Sequence, residues 1–232
     1  MTNLGVDISQ RKAAMVAGFG LLVMTIFALF SLVFALPSLV VPGDATGTAN
    51  NIMANEGLFR MAICSFLIVV ILDVLVAWAF YIVLKPVNKG LSLLMAWFRL
   101  VYATIFAFTL LFLVIPLLLL SGADYLTVLT TDQLHTFIML SLDAFSDGWA
   151  VGLVFFGLHL TLLGYLVFRS EYIPRILGVL LIAAGLSYVI DNFGRFLVPY
   201  LDLQISTVLG WGELLFMFWL LLRGHRIPEI RS

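Results

Sequence analysis

The chain has 232 residues, 63% of them hydrophobic and 11% charged, with a mean hydropathy of +1.15 and a formal net charge of −1 at pH 7. That leaves too little polar surface to coat a water-soluble globule, so the solvent is lipid and the expected partner is the bilayer. The near-neutral balance offers no basic face for nucleic acid, and a single cysteine, Cys64, excludes an intrachain disulfide and reads as a small buried hydrophobe in an apolar run.

Crossing the roughly 30 Å hydrocarbon core takes about 20 apolar residues. Six windows are long enough: Ala13 to Val41, Gly57 to Leu84, Leu91 to Leu120, Asp147 to Phe168, Ile173 to Val198 and Ser206 to Leu222. The pattern predicts an all-α polytopic membrane bundle of six transmembrane helices over residues 11–224, with cytoplasmic tails at 1–10 and 225–232. The first window is too long for a signal-peptide core and has no small-x-small cleavage site before a polar region, so it is expected to stay as a helix.

Cations punctuate alternate loops. Arg11 and Lys12, Lys85 and Lys89, Arg169 and Arg175, and Arg223, Arg226 and Arg231 lie at one set of ends, whereas loops 42 to 55, 121 to 132 and 199 to 205 hold no Lys or Arg. Nine against none predicts both termini in the cytoplasm. Tyr81, Tyr165 and Tyr172 at inner ends, with Trp149, Tyr125 and Tyr200 at outer ends, suit interfacial belts.

The first window carries no charge and reads as scaffold facing lipid. In the loop from Val41 to Asn51, Pro, Gly and Asn disfavour continued helix, and Asn50 to Glu56 can begin a short surface helix. The second window opens with Glu56 and Arg60, four apart on one face. Deeper lies Asp73, about 18 Å up from Lys85, while Arg99 on the third window is about 15 Å from Lys89. Antiparallel neighbours joined by the short PVNKG turn bring the two to one depth, so a buried Asp73–Arg99 ion pair is predicted as a structural staple.

Ahead of the fourth window the reading divides. An unbroken helix from Asp132 to Phe168 would run about 55 Å, well past the core, so Gln133 to Ser146 is expected as a separate outer or re-entrant helix, with Ser146, Asp147 and Gly148 as the break. On that reading Asp147 caps backbone amides at the interface. Gly148, Gly152, Gly157 and Gly164 are small positions that let another helix approach, and His159 is expected as a packed, hydrogen-bonded residue at mid-membrane depth. The fifth window enters through Ile173-Pro174, with Pro at a tolerated helix start, and ends in Asp191 and Arg195, again four apart. Glu213 on the sixth lies nearer mid-membrane.

Three windows thus bring an ionisable pair to a similar outer zone: Glu56/Arg60, Asp143/Asp147 and Asp191/Arg195. Central Asp, Lys or Arg costs about 2.5 to 3.5 kcal/mol, and an apolar helix returns about 6 to 12, so one helix tolerates two charges but six lipid-facing ones are not expected. They are predicted to turn inward to a shared polar pocket, where four carboxylates face two arginines. An excess of two negative charges can be met by a bound proton or a cation. The alternative is a network of ion pairs that only fixes helix order.

Chemistry-bearing motifs are few. His135, His159 and His225 lie at three depths, and the chain has no HExxH, Cys/His cluster, G-x-S-x-G elbow or phosphate loop, so no cofactor, metal or catalytic residue is expected. The match of Tyr81-Ile-Val-Leu-Lys85 to Tyr165-Leu-Val-Phe-Arg169 reads as interfacial grammar rather than a duplicated hairpin.

The segments LFRMAICSF from Leu58, KPVNKGLSLLMAWFRL from Lys85, GWAVGLVFFGLHLTLLGYLVFRS from Gly148 and YIPRILGVLLIAAGLSYVIDNFGRFL from Tyr172 resemble the prokaryotic membrane proteins catalogued as domain of unknown function 4386. The likeness spans about Arg11 to Gly224. It implies a bacterial or archaeal inner-membrane protein of six-helix type and assigns no activity or functional residue. A carrier or receptor for a proton, cation or small solute, and a non-catalytic scaffold or accessory subunit, both fit these residues.

Overall fold

In the computed structural model, residues 8–198, 200 and 203–229 are described; most of the first tail and Arg231 lie outside them. Among the described residues every regular element is helical. Six helices are long and apolar enough to cross a membrane: α1 (Gln10–Leu39), α3 (Glu56–Leu84), α4 (Lys89–Leu119), α5 (Thr131–Arg169), α6 (Arg175–Leu197) and the stretch Ile205–Arg226. The last contains α7 (Ile205–Leu209) and α8 (Gly212–Arg223), and a short α2 (Ala45–Ala54) precedes α3.

Local chemistry sets the boundaries. In α1, Pro37 has no amide proton to give the preceding turn, and residues Phe30–Ala35 widen to π-helix, with the Leu36 amide bonding Ser31 O. Gly43, at φ 77°, reverses the chain, and Asp44 caps α2 by accepting from the Gly47 amide at 2.8 Å. The loop helix therefore starts earlier than the sequence alone suggests, because the cap is Asp44 and Asn55 ends it.

The largest departure concerns α5. It is one unbroken helix of 39 residues, about 58 Å at 1.5 Å per residue, and the break expected at Ser146 to Gly148 is absent. Two local features explain the difference. Thr130 and Gln133 form a reciprocal capping box, with Gln133 N to Thr130 Oγ1 at 3.3 Å and Thr130 N to Gln133 Oε1 at 2.9 Å, which starts the helix ahead of the apolar run. Gly148 is not a hinge: a Cβ there would meet the Thr109 side chain, so its role is close approach to α4. Asp147 is consequently a mid-helix residue rather than a helix cap.

Contacts group the chain into two units, one of residues 1–22, 72–103 and 152–232, the other of 23–71 and 104–151. Each boundary falls inside a helix, so α1, α3, α4 and α5 each contribute to both.

In the first unit, α5 and α6 pack glycine on glycine. A Cβ on Gly157 would stand 2.6 Å from Gly185 O, and one on Gly164 2.6 Å from Gly178 O. Backbones approach this closely only where side chains are missing, the usual device for helix pairing in lipid. Gly212 does the same against Leu180 O at 2.6 Å. Tyr172, in the turn between α5 and α6, donates to Val83 O at 2.7 Å, and burial pushes its phenol up to about 12, so it stays a donor. Arg11 Nε donates to Ile227 O at 2.8 Å, joining the two ends of the described chain.

The second unit is built on aromatic rings. Phe66, Phe106, Phe145 and Trp149 are mutually in contact, with Trp149 stacked on Phe106 at 5.4 Å and on Phe145 at 6.1 Å. Cys64 is exposed rather than buried, on the same face of α3 as Met61, Leu67 and Ile71. That apolar face suits lipid, where a thiol is as well tolerated as in a core.

Candidate functional site

Arg99 is the organising charge of the first unit. It is fully buried, and so is Asp73. Its Nε and Nη2 both lie 2.8 Å from Asp73 Oδ1, so the predicted pair forms. Nη1 adds two partners the sequence did not join to it: Glu213 Oε1 at 2.9 Å and His159 Nε2 at 3.1 Å. Phe80 and Phe156 flank the guanidinium, their centroids 5.8 Å and 5.5 Å from its carbon.

The proton positions follow from valence. Met95 O, 2.9 Å from His159 Nδ1, can only accept, so Nδ1 carries the hydrogen. Arg99 can only donate, so Nε2 offers its lone pair and the imidazole is neutral. The ionisable members left are then two carboxyl groups and one guanidinium. Asp73 Oδ2 is buried and has no hydrogen-bond partner among the described residues.

Of the three outer pairs, Glu56/Arg60 and Asp143/Asp147 belong to the second unit and Asp191/Arg195 to the first. Glu56 and Arg60 pair with each other at 2.6 Å, both more than half exposed, and line a cavity of about 370 Å³ with Ile52, Leu117, Leu120 and Ser121. Asp143, exposed, lines a different cavity of about 650 Å³; Asp147 is exposed one turn further along α5. Asp191 belongs to the first unit, where its carboxylate accepts from the amides of Ile205 at 3.1 Å and Ser206 at 2.7 Å and so caps α7. Arg195, in the same unit, is exposed.

The Asp143 cavity lies within the second unit. Leu36, Pro37 and Val40 from the distorted end of α1 form part of its wall, with Phe145, Ser146 and Trp149 of α5. Asp143 is its one charged wall residue and makes no hydrogen bond or ion pair with a described residue. Carboxylate, indole and phenyl ring therefore share one chamber whose remaining wall is apolar apart from Ser146.

Comparison with known proteins places this architecture. The profile described as domain of unknown function 4386 matches residues 16–224. The chain belongs to that family. An uncharacterized protein of Archaeoglobus fulgidus is 37% identical over 171 residues, covering 74% of this chain and 88% of the relative. No solved structure matches.

In this member of the domain of unknown function 4386 family, no group of three or more His, Cys, Asp or Glu among the described residues could hold a metal ion. Sequence reasoning had each member of the Arg99 cluster but not the cluster, because Glu213 sits on a helix not adjacent in sequence to α4 and the long connection between α4 and α5 does not fix the register of His159 against Arg99. It missed the α1 distortion altogether, although Pro37 inside an apolar window is a readable signal.

Proposed function

We propose that the protein is a carrier or receptor of the cytoplasmic membrane, with both termini inside, that binds a small organic cation in the Asp143 cavity. The observation that carries this reading is an unpartnered carboxylate on the wall of a largely apolar, aromatic chamber of about 650 Å³. A volume of this order suits a small ligand. An ammonium group on an apolar body satisfies every part of the wall: Asp143 supplies the counter-charge, Trp149 and Phe145 the ring faces that attract cations, and the aliphatic residues cover the rest. The π-helical stretch of α1 supports the reading, since such distortions recur at functional sites. The orientation rests on the cation asymmetry of the loops. Glu56, Arg60, Asp147, Asp191 and Arg195 are left as supporting charges of this site or of the fold.

The test uses purified protein in nanodiscs with benzyltrimethylammonium and its neutral isostere neopentylbenzene, binding read by calorimetry. The cation binds wild type and loses about tenfold or more in affinity with Asp143→Asn, while the neutral isostere binds poorly to both. Equal binding of the two compounds, unchanged by Asp143→Asn, would mean a merely greasy cavity filled by lipid chains and would defeat the proposal.

A scaffold without a ligand is the second reading. The complete burial of Asp73 and Arg99 favours it, as does the use of Asp191 as a cap, since both spend charge on packing.

A further inference from the structure

We propose that the Asp73–Arg99–Glu213–His159 cluster is a one-proton binding site of the membrane interior, the proton residing on the Asp73 carboxyl. Asp143 plays no part in it.

With both carboxylates ionised, the cluster carries two negative charges against the single positive charge of Arg99, because His159 is neutral by its hydrogen bonds to Met95 O and Arg99. An uncompensated charge in a fully buried, aromatic-flanked position is expensive, whereas one added proton makes the set neutral. Other titratable groups do not repair the balance. Tyr102 is near Arg99, and Tyr188 lies within electrostatic reach of both Glu213 and Asp191; none is a cation. The packed stretch of α1, residues 13–22, holds no ionisable residue at all.

Geometry then assigns the proton. Arg99 directs two N–H groups at the same oxygen, Asp73 Oδ1, and leaves Oδ2 without a partner. A forked pair with an ionised carboxylate frequently engages both oxygens. One-sided engagement with a bare second oxygen is the pattern of a carboxylic acid whose carbonyl oxygen accepts and whose hydroxyl oxygen does not. Glu213 keeps 20% exposure and is the member better able to remain ionised. The chemistry is a single O–H bond formed at Asp73 with a proton from hydronium, which leaves as water, with no electron transfer. The charge on the cluster changes by one with occupancy, as proton-coupled membrane proteins require of an intramembrane carboxyl.

Isosteric substitution tests the assignment. In purified, lipid-reconstituted protein, infrared difference spectra across pH should show one protonated carboxyl band sensitive to deuterium exchange, absent in Asp73→Asn. Because an amide mimics the neutral acid, Asp73→Asn should melt within a few degrees of wild type. Glu213→Gln should also fold, now with Asp73 ionised against Arg99 and the band lost. Asp73→Asn/Glu213→Gln should fail to fold, since Arg99 then has no carboxylate to balance its charge. Both single variants collapsing, or no protonated carboxyl band in wild type, would overturn the proposal. Stabilisation by sodium over choline at constant ionic strength, abolished by either single change, would replace the proton with a metal cation and overturn it equally.

Discussion

Arg99 shows what a buried charge demands of its neighbours. Its guanidinium is surrounded by Asp73, Glu213, His159 and two aromatic rings, and an ammonium could not reproduce the planar fork that reaches three of these at once. Replacing Arg99 by Ala leaves two acidic side chains facing each other without a cation. The expected loss is about 3–5 kcal/mol, seen as a fall in melting temperature in detergent, and Arg99→Lys should recover only part of it. An Arg99→Ala protein that melts with wild type would show that the cluster bears no structural load. Asp73 and Arg99 were legible in the sequence because a short turn fixes the register of two antiparallel helices, so counting from Lys85 and Lys89 gives both depths. Glu213 was not legible as their partner, because which non-adjacent helix comes alongside depends on packing. The three outer pairs mark the same limit: spacing puts Asp191 and Arg195 on one face, but nothing in the sequence says that Asp191 is spent on the amides of Ile205 and Ser206.

At the scale of elements, small residues decide which helices meet. Gly157, Gly164, Gly178 and Gly185 form two facing rows, and the sequence flagged the α5 row as a packing surface. A methyl on Gly185 would meet Thr161 Oγ1 and stand 2.6 Å from both Gly157 O and Thr161 N. Backbone atoms cannot swing aside as a side chain can, so Gly185→Ala should cost about 1–3 kcal/mol through overpacking. Gly57 is the control: nothing lies within 4 Å of the place a methyl would take, and Gly57→Ala should be neutral or stabilising by up to about 1 kcal/mol. Thermal melts of the two variants side by side measure the difference, and equal behaviour would show that the α5–α6 approach is looser than described. The continuity of α5 belongs to this scale too. A helix longer than the hydrocarbon core is thick suggested a break at Ser146-Asp147-Gly148, but a glycine whose missing side chain admits Thr109 is a contact point, and helical hydrogen bonding continues through it.

For the whole molecule, the sequence supplied the number of apolar helices and predicts an orientation, each on different grounds. Helix count follows from the requirement that every backbone polar group in hydrocarbon be satisfied internally, which turns each long apolar window into a helix. Orientation follows from the translocation bias against Lys and Arg, and it is a property of loops rather than of packing. The two separate in one experiment. In a Cys64→Ser background, single cysteines are placed at Tyr125, between α4 and α5, and at Gly90, at the start of α4; both positions are exposed. With both termini inside, a membrane-impermeant maleimide should label Tyr125→Cys on intact cells and spare Gly90→Cys, and inverted vesicles should reverse the result. Labelling of Gly90→Cys from outside would invert the topology while leaving six spans intact. The ends holding Lys85, Lys89, Arg169, Arg175, Arg223 and Arg226 would then face the translocated side, and the cation asymmetry would need a cause other than insertion.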